Sequence, residues 1–204
     1  MPELVIPDVC FNYSNNYPNL IKIWSTDDGN GLSLKVNNIG LGVAKNIDFE
    51  WHYDIHAMVE RFYQLNNEDK GQITIDSDEN RLYYIKDGEM LDGSSLDTDN
   101  RHLDFLLPHT KGAEVYSLDL PGSYLSLSTA IFKHAEQKEV FDLQKFEGSL
   151  LPLTLTARYE DVGGSRITKR FSVEVRFFIK SINLGELNTD LISRMRGRVY
   201  ISEK

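Results

Sequence analysis

Residues 151–177 read LPLTLTARYEDVGGSRITKRFSVEVRF, and this stretch decides the fold class. Hydrophobic side chains occupy alternate positions before residue 161, and a similar alternation runs from Ile167 to Phe177. A period of two is typical of a strand with one buried face. Residues 161–164, with the sequence DVGG, have the composition of a tight turn. The stretch therefore predicts a long antiparallel hairpin.

The same alternation recurs in three segments upstream, over residues 32–36, 47–53 and 103–107. We expect one face of each segment to be buried, and the inward positions are Leu32, Leu34, Val36, Ile47, Phe49, Trp51, Tyr53, Leu103, Phe105 and Leu107. Shorter strands are predicted at residues 20–24, 82–86 and 115–120. Because each strand has an apolar face to bury, we expect two packed antiparallel sheets, which is a β-sandwich.

Helices are predicted as insertions between these strands. Residues 54–66 carry apolar side chains at three- and four-residue spacing, and Asp54 can cap the first turn. Residues 122–137 fit a helical stripe and also a strand, so both alternatives stay open. One last short helix is predicted after Asn188 and Thr189, with Gly197 just beyond its end.

The length of 204 residues is enough for a core without disulfides or a metal. Sandwiches of this size are common, so we expect residues 1–204 to form a single β-sandwich domain. Two polar stretches, at about residues 66–80 and 87–101, are interpreted as surface loops. The only thiol is Cys10, which excludes an intrachain disulfide. No signal peptide or run of about 18 apolar residues is present, which leaves the compartment open and indicates a soluble chain.

The formal net charge of -9 argues against nucleic acid as a partner. Residues 1–157 hold 25 acidic and 12 basic residues, whereas residues 158–204 hold 6 acidic and 10 basic residues. Most of the basic group consists of Arg158, Arg166, Lys169, Arg170, Arg176, Lys180, Arg194, Arg196 and Arg198. One interpretation is that these residues pair with acids on the surface. The other is a docking face for an acidic protein or an anionic lipid headgroup.

The most distinctive local pattern is VNNIGLGVAKNIDFEW at residues 36–51, which lies between two predicted strands. It contains the motif N-x-x-G-x-G-x-A-x-N, formed by Asn37, Gly40, Gly42, Ala44 and Asn46. A dinucleotide fingerprint is excluded because no third glycine follows and the next element is a strand. We interpret the motif as a structural corner, where the glycines permit positive φ or close backbone contact and Ala44 fits a tight space.

This corner, the start PELVI, the segment LDLPGSYLSL at residues 118–127 and the hairpin at residues 155–175 together resemble a group of uncharacterised bacterial proteins. In those proteins an immunoglobulin-like β-domain often follows one or two N-terminal transmembrane helices. The resemblance implies an immunoglobulin-like β-sandwich and says little about activity, because its motifs are structural corners and turns and not catalytic signatures. This chain lacks the membrane helix, so the resemblance implies either the soluble portion of a membrane-anchored protein or a soluble relative.

Candidate metal ligands are weak in the sequence. His52, Asp54, His56 and Glu60 lie close together, but a strand-to-helix boundary separates the two histidines. Asp76, Asp78 and Asn80 resemble the opening of a calcium loop and form a weak cation candidate. Arg81 stands where such a loop needs glycine.

No catalytic motif, phosphate-binding loop or cofactor signature is found. The leading hypothesis is therefore a non-enzymatic immunoglobulin-like module that binds another protein through loops, a sheet edge or its inserted helix. One alternative is a sensor or accessory portion of a membrane-anchored bacterial assembly, with its basic tail near anionic lipid. A further alternative is a hydrolase with an acidic cleft, which requires two carboxylates with opposed pKa shifts. The oligomeric state is left open.

Overall fold

A computed structural model describes residues 1–14, 22–25, 32–65, 71–76, 80–86, 89–96, 100–109, 115–137, 150–178 and 195–204. The fold is mainly β, with antiparallel sheets. The strands are β1 (Leu4–Val5), β2 (Val9–Ser14), β3 (Lys22–Ser25), β4 (Ser33–Asn38), β5 (Ala44–His52), β6 (Gly71–Asp76), β7 (Arg81–Lys86), β8 (Glu89–Ser95), β9 (Arg101–Leu106), β10 (Tyr116–Asp119), β11 (Leu153–Glu160), β12 (Arg166–Phe178) and β13 (Met195–Glu203). The helices are α1 (Ile55–Leu65) and α2 (Gly122–Gln137).

These strands form three sheets. The largest has seven strands in the order β3-β2-β13-β12-β11-β5-β9 and curves as a half-barrel. A second sheet has the order β1-β4-β10, and a third has the order β6-β7-β8. The first two sheets meet where Phe49 of β5 stacks on Tyr116 of β10, with ring centroids 5.6 Å apart. Their apolar faces therefore share one core.

The predicted hairpin is confirmed. β11 and β12 pair antiparallel from Leu153 opposite Val173 to Glu160 opposite Arg166. In the turn, Gly164 has a φ of 82° and its N–H donates to the Asp161 carbonyl at 3.0 Å. This left-handed backbone conformation favours glycine, because a residue with a side chain would be strained there. Local chemistry alone therefore accounts for this reversal.

Most of the predicted inward positions are buried, as the alternation requires. The fully or almost fully buried members of that set are Leu32, Leu34, Val36, Ile47, Phe49 and Trp51. Three short strands were expected near β3, β7 and β10, and strands are found there. The strands β5 and β11 pair antiparallel, and β5 carries Trp51, the largest fully buried side chain among the residues whose burial the structure describes.

Both helices pack against this core. Asp54 caps α1, because its Oδ1 accepts a hydrogen bond from the N–H of Ala57 at 2.9 Å. Met58 and Phe62, on the predicted apolar face of α1, are fully buried. The ambiguous segment 122–137 is helical, and α2 contacts both α1 and β8. Neither described helix is long and apolar enough to span a membrane.

The buried tyrosine of α2 shows how the helix is attached. Tyr124 is fully buried, meets Tyr53 edge to face, and donates its hydroxyl hydrogen to the Leu151 carbonyl at 2.9 Å. Burial raises the pKa of the Tyr124 phenol, so the group stays a neutral donor. The Tyr53 hydroxyl is also hydrogen-bonded to Ser123 at the start of the helix. These contacts join α2 to β5 and to the entry of β11.

Two expectations about irregular segments are wrong. The stretches at about residues 66–80 and 87–101 were expected to be loops, yet they contain β6 and β8, which flank β7. Their polar composition hid the strands, because both pair along their backbones in a small antiparallel sheet. Most of the predicted C-terminal helix lies outside the described residues, but the residues at its predicted end belong to strand β13. Gly197 lies opposite Phe11, whose ring occupies the space that a side chain would need.

The inward positions predicted for β9 are also wrong in part. Phe105 and Leu107 are more than half exposed, whereas Leu106 is buried. The cause is a bulge in β5, where Asn46 adopts a φ of 48° and the register with β11 shifts. Because of the bulge, Ala44 and Ile47 both face the core although they are three residues apart. Their partners on β9, Leu106 and Leu103, follow the same spacing.

Candidate functional site

The corner between β4 and β5 is organised by Asn38, the last residue of β4, which is 1% exposed. Its Oδ1 accepts hydrogen bonds from the N–H groups of Glu3 at 3.0 Å and Gly40 at 3.1 Å. Its Nδ2 donates to the carbonyls of Gly42 at 2.7 Å and Leu106 at 3.0 Å. The amide thus makes all four hydrogen bonds available to it. One side chain joins the N-terminal segment, the corner and β9.

Backbone contacts reinforce this junction. The N–H of Ile39 donates to the Glu3 carbonyl at 2.8 Å, and the N–H of His109 donates to the Asn38 carbonyl at 2.5 Å. Gly40 lies so close to residues 1–3 that an added Cβ would stand 2.5 Å from the Glu3 nitrogen. Three segments distant in sequence are therefore packed backbone to backbone at this point.

The corner interpretation of the motif agrees with this geometry, because the chain passes here from the sheet of β4 to the sheet of β5. Close contact, rather than positive φ, explains Gly40. A Cβ on Gly42 would be 3.4 Å from the Pro2 ring, which is close to an ordinary van der Waals distance and much longer than the contacts at Gly40. Ala44 is fully buried. Asn46 adopts the left-handed conformation at the bulge, and its Nδ2 donates to Glu160 Oε2 at 3.1 Å.

The motif does not include Asn38, the residue whose hydrogen bonds join the segments at the corner. Asn37 is half-buried and lies opposite Val5 in the β1–β4 pair, whereas Asn38 carries the hydrogen bonds. A signal for Asn38 was present in the sequence. Leu34 and Val36 are inward positions of the same strand, and the period of two continues to Asn38. A polar residue at a buried position needs hydrogen-bond partners, which the motif could not name.

Three exposed aliphatic side chains belong to residues that are next in sequence to Asn38 or to the residues that it binds. Ile39 is 54% exposed, Leu41 is 95% exposed and Leu107 is 57% exposed. Ile39 follows Asn38 directly, Leu41 stands between the two corner glycines, and Leu107 follows Leu106. We call these three residues the corner patch. Exposed apolar residues gathered in one place typically mark a surface that binds another molecule.

The basic residues of the C-terminal part are largely paired. Ion pairs join Arg158 to Glu50 at 2.6 Å, Arg166 to Glu160 at 3.3 Å, Lys169 to Glu203 at 3.0 Å, Arg176 to Glu174 at 3.0 Å and Arg198 to Asp8 at 3.0 Å. The hydrogen bond from Arg158 also lowers the pKa of Glu50. Lys180 and Arg194 lie outside the described residues. These contacts agree with the interpretation that the basic residues pair with surface acids.

Two of these arginines are held by a further contact. The guanidinium groups of Arg176 and Arg198 lie 4.9 and 5.1 Å from the ring centre of Tyr200. Arg176 and Arg198 are also directly opposite each other on β12 and β13. Each arginine is therefore fixed both by a carboxylate and by an aromatic face.

The candidate metal ligands are not brought together. His52 Nε2 lies 3.5 Å from Glu50, and Asp54 is committed to capping α1. His56 and Glu60 are exposed on α1. Within the ranges that the structure describes, no three His, Cys, Asp or Glu side chains form a cluster that could hold a metal ion.

The cation candidate of residues 76–80 is only partly described. Asp76 ends β6 opposite Arg81, and the carbonyl of Asn80 accepts a hydrogen bond from the N–H of Leu96 at 2.8 Å. Asn80 has a φ of 51°, which fits a turn between β6 and β7. Asp78 lies outside the described residues. The described part of this segment thus serves a hairpin.

A histidine bridges two carboxylates at the edge of the large sheet. His102 Nδ1 is 2.7 Å from Asp48 of β5, and its Nε2 is 3.4 Å from Asp104 of β9. The hydrogen bond to Asp48 raises the pKa of His102, and the nearby charge of Asp104 acts in the same direction. Both ring nitrogens face carboxylates, which favours the cationic form of the imidazole.

A comparison of the chain with protein-family models, with curated proteins and with solved structures finds no match.

Proposed function

We propose that this chain is a non-enzymatic binding module on an immunoglobulin-like β-sandwich, and that it binds another protein through the corner patch. The observation that carries the proposal is the exposure of Ile39, Leu41 and Leu107 on segments that Asn38 holds together. An exposed leucine contributes little to folding, whereas burying it against a partner removes apolar surface from water.

The rigidity of the corner supports recognition rather than nonspecific stickiness. Asn38 and the contact at Gly40 hold the backbone beside each patch residue, so little conformational entropy is lost when a partner docks. Sites built on a rigid scaffold are typical of binding modules whose loops lie at one end of a sandwich.

Charge favours a protein over an anionic membrane as the occupant. The chain carries a net charge of -9, and five of its described C-terminal cations form ion pairs with neighbouring carboxylates. An anionic lipid surface attracts unpaired basic clusters beside the inserted residues. We therefore propose a partner with an apolar surface that covers the corner patch.

The test compares two variants that each replace an exposed aliphatic side chain by a charge. Leu41→Asp alters the corner patch, and Val162→Asp alters the β11–β12 turn, where Val162 is 66% exposed. We expect both proteins to keep the thermal stability of the wild type, because neither side chain contributes to the core. The wild type and Val162→Asp should capture the same proteins from native lysate. The amount of these proteins captured by Leu41→Asp should be lower by a factor of about ten or more.

Co-sedimentation with vesicles of anionic and of zwitterionic phospholipid provides the second arm. If the wild type binds vesicles and Leu41→Asp does not, the partner of the corner patch is a lipid surface and not a protein. Equal capture by the wild type and by Leu41→Asp would reject the corner patch as the binding site.

A further inference from the structure

Strand β9 is held in place by side chains at two points that differ in chemistry. Near its C-terminal end, the Leu106 carbonyl accepts a hydrogen bond from the buried Asn38 amide at 3.0 Å. Near its N-terminal end, His102 lies opposite Asp48 of β5, and its Nδ1 is 2.7 Å from the Asp48 carboxylate. The first contact contains no group that titrates between about pH 5 and pH 8, whereas the second contains a histidine. The two ends of the strand should therefore respond differently to pH.

Both ring nitrogens of His102 face carboxylates of the same chain. Besides the contact with Asp48, its Nε2 is 3.4 Å from the carboxylate of Asp104 on β9. A neutral imidazole has one N–H donor and a lone pair on its other nitrogen, whereas the imidazolium ion donates from both nitrogens. Only the protonated ring can therefore be attracted to both carboxylates at once. When the proton is lost, the ring keeps at most one of these hydrogen bonds, and that bond is no longer strengthened by a positive charge.

The surrounding charges do not take over the role of this proton. The other charged or histidine side chains on β5, β9 and β11 are Lys45, Asp48, Glu50, His52, Arg101, Asp104, Arg158 and Glu160. Arg158 lies on the far side of Asp48 and forms its ion pair with Glu50 at 2.6 Å. Lys45 lies opposite Phe105, and Arg101 is on the other face of β9 from His102. Within these strands, only the two aspartates are in contact with the imidazole ring.

The position of β9 makes a modest contact matter. It is the last strand of the seven-stranded sheet, and among the described strands it pairs only with β5. The side chains of His102 and Asp48 are 54% and 60% exposed, and exposed ion pairs of this kind change a local equilibrium by roughly two- to fivefold. The end of an edge strand opens readily, so a change of this size alters how often it opens. Opening would uncover Leu103, which packs against the core opposite Ile47.

We propose that protonation of His102 controls how tightly the N-terminal end of β9 is held against β5, so that this edge of the sheet closes at low pH and loosens at high pH. The hydrogen bond to Asp48, together with the charge of Asp104, raises the pKa of His102 in the folded chain. The additional hold is therefore complete below about pH 6.5 and is lost as the pH rises through the folded pKa. The C-terminal end of β9, held by Asn38, does not share this response.

Amide hydrogen exchange, followed by NMR, tests the proposal. Each amide is compared with the same amide in His102→Gln at the same pH, so that the intrinsic exchange rate cancels. At about pH 5.5 the protected amides among residues 47–49 and 101–103 should exchange roughly two- to fivefold more slowly in the wild type. At about pH 8.5 the two proteins should exchange alike. His52→Gln removes an exposed histidine from β5 and is the matched control, which should behave as the wild type at both pH values.

Two further variants separate the proton from the shape of the side chain. His102→Lys keeps a cation opposite Asp48 and should slow exchange relative to His102→Gln at both pH values. Asp48→Asn should move the NMR titration midpoint of His102 down toward about 6.5 and remove the pH-dependent difference. A ratio of exchange rates between the wild type and His102→Gln that is the same at both pH values would overturn the proposal, as would a midpoint that Asp48→Asn leaves unchanged. Leu41→Asp should show the wild-type response, which separates this test from that of the corner patch.

Discussion

Two places where the chain changes direction are built in opposite ways. In the turn between β11 and β12, the Asp161 carboxylate accepts hydrogen bonds from the N–H groups of Gly163 at 2.8 Å and Ser165 at 2.9 Å. In the corner between β4 and β5, Asn38 binds backbone atoms 35 and 68 residues away. The turn needs only its neighbours in sequence, whereas the corner forms only when two distant segments arrive.

The glycines at these two reversals also differ in whether a local or a distant feature requires them. Gly164 has a positive φ, and a Cβ there would meet nothing within 4 Å. Gly40 needs no left-handed backbone, but a Cβ there would collide with the backbone of residues 1–3. The first glycine is required by a dihedral angle and the second by a packing contact. Substitutions that separate local from distant effects therefore test the comparison.

The largest effect is expected for Asn38→Ala. The substitution leaves the N–H groups of Glu3 and Gly40 and the carbonyls of Gly42 and Leu106 without their hydrogen-bond partner. We expect the free energy of unfolding, measured by urea denaturation, to fall by about 3 kcal/mol.

Asn37→Ala is the matched control for that experiment, because the neighbouring side chain is half-buried and outside the set of bonds that Asn38 makes. We expect it to cost less than about 1 kcal/mol. Equal losses for the two variants would show that the corner does not depend on the Asn38 amide.

A smaller loss is expected for Gly40→Ala. Its Cβ would stand 2.5 Å from the Glu3 nitrogen, so the N-terminal segment has to move away from the corner. We expect a cost of about 2 kcal/mol in the same denaturation experiment. Gly42→Ala meets only the edge of the Pro2 ring at 3.4 Å and should cost less than about 1 kcal/mol. The reverse order of the two losses would contradict the close contact at Gly40.

The smallest effect is expected in the turn. Hydrogen bonds from the Ser165 and Gly163 backbone lower the pKa of Asp161 below the usual range of an aspartate. Because the folded pKa is the lower one, the carboxylate stabilises the fold fully above about pH 5 and loses this effect as the pH falls through the folded pKa. Asp161→Asn should remove this part of the acid sensitivity in denaturation experiments at pH 2–6. An unchanged pH dependence would show that the turn does not use the charge.

Hydrogen exchange sharpens the same comparison. Asp161→Asn should speed exchange only at the amides of Gly163, Gly164 and Ser165, which bond within the turn. Asn38→Ala should speed exchange at amides in separate segments, including Glu3 and His109. The number of segments affected, rather than the size of the loss, distinguishes a local turn from a tertiary junction.

The candidate site could be predicted only in part, because some of its features depend on contacts between segments far apart in the chain. The motif located the corner between two strands, and Ala44 and Gly40 have the roles of a tight space and a close contact. The motif could not show that Leu41 is exposed or that the Leu106 carbonyl, next to Leu107, accepts a hydrogen bond from Asn38, because these facts depend on where β9 lies in the folded chain. The bulge at Asn46 then turned Phe105 outward against its own alternation.

Side-chain alternation and contacts within a few residues are enough to predict the mainly β fold, the long hairpin and the cap of α1. The helix at residues 122–137 and the pairing of polar stretches as β6 and β8 depend instead on contacts between segments that are far apart in the chain. The same contacts set which faces of β9 and of the corner meet solvent. Burial is a property of the partners that a segment finds, and those partners lie far away along the chain.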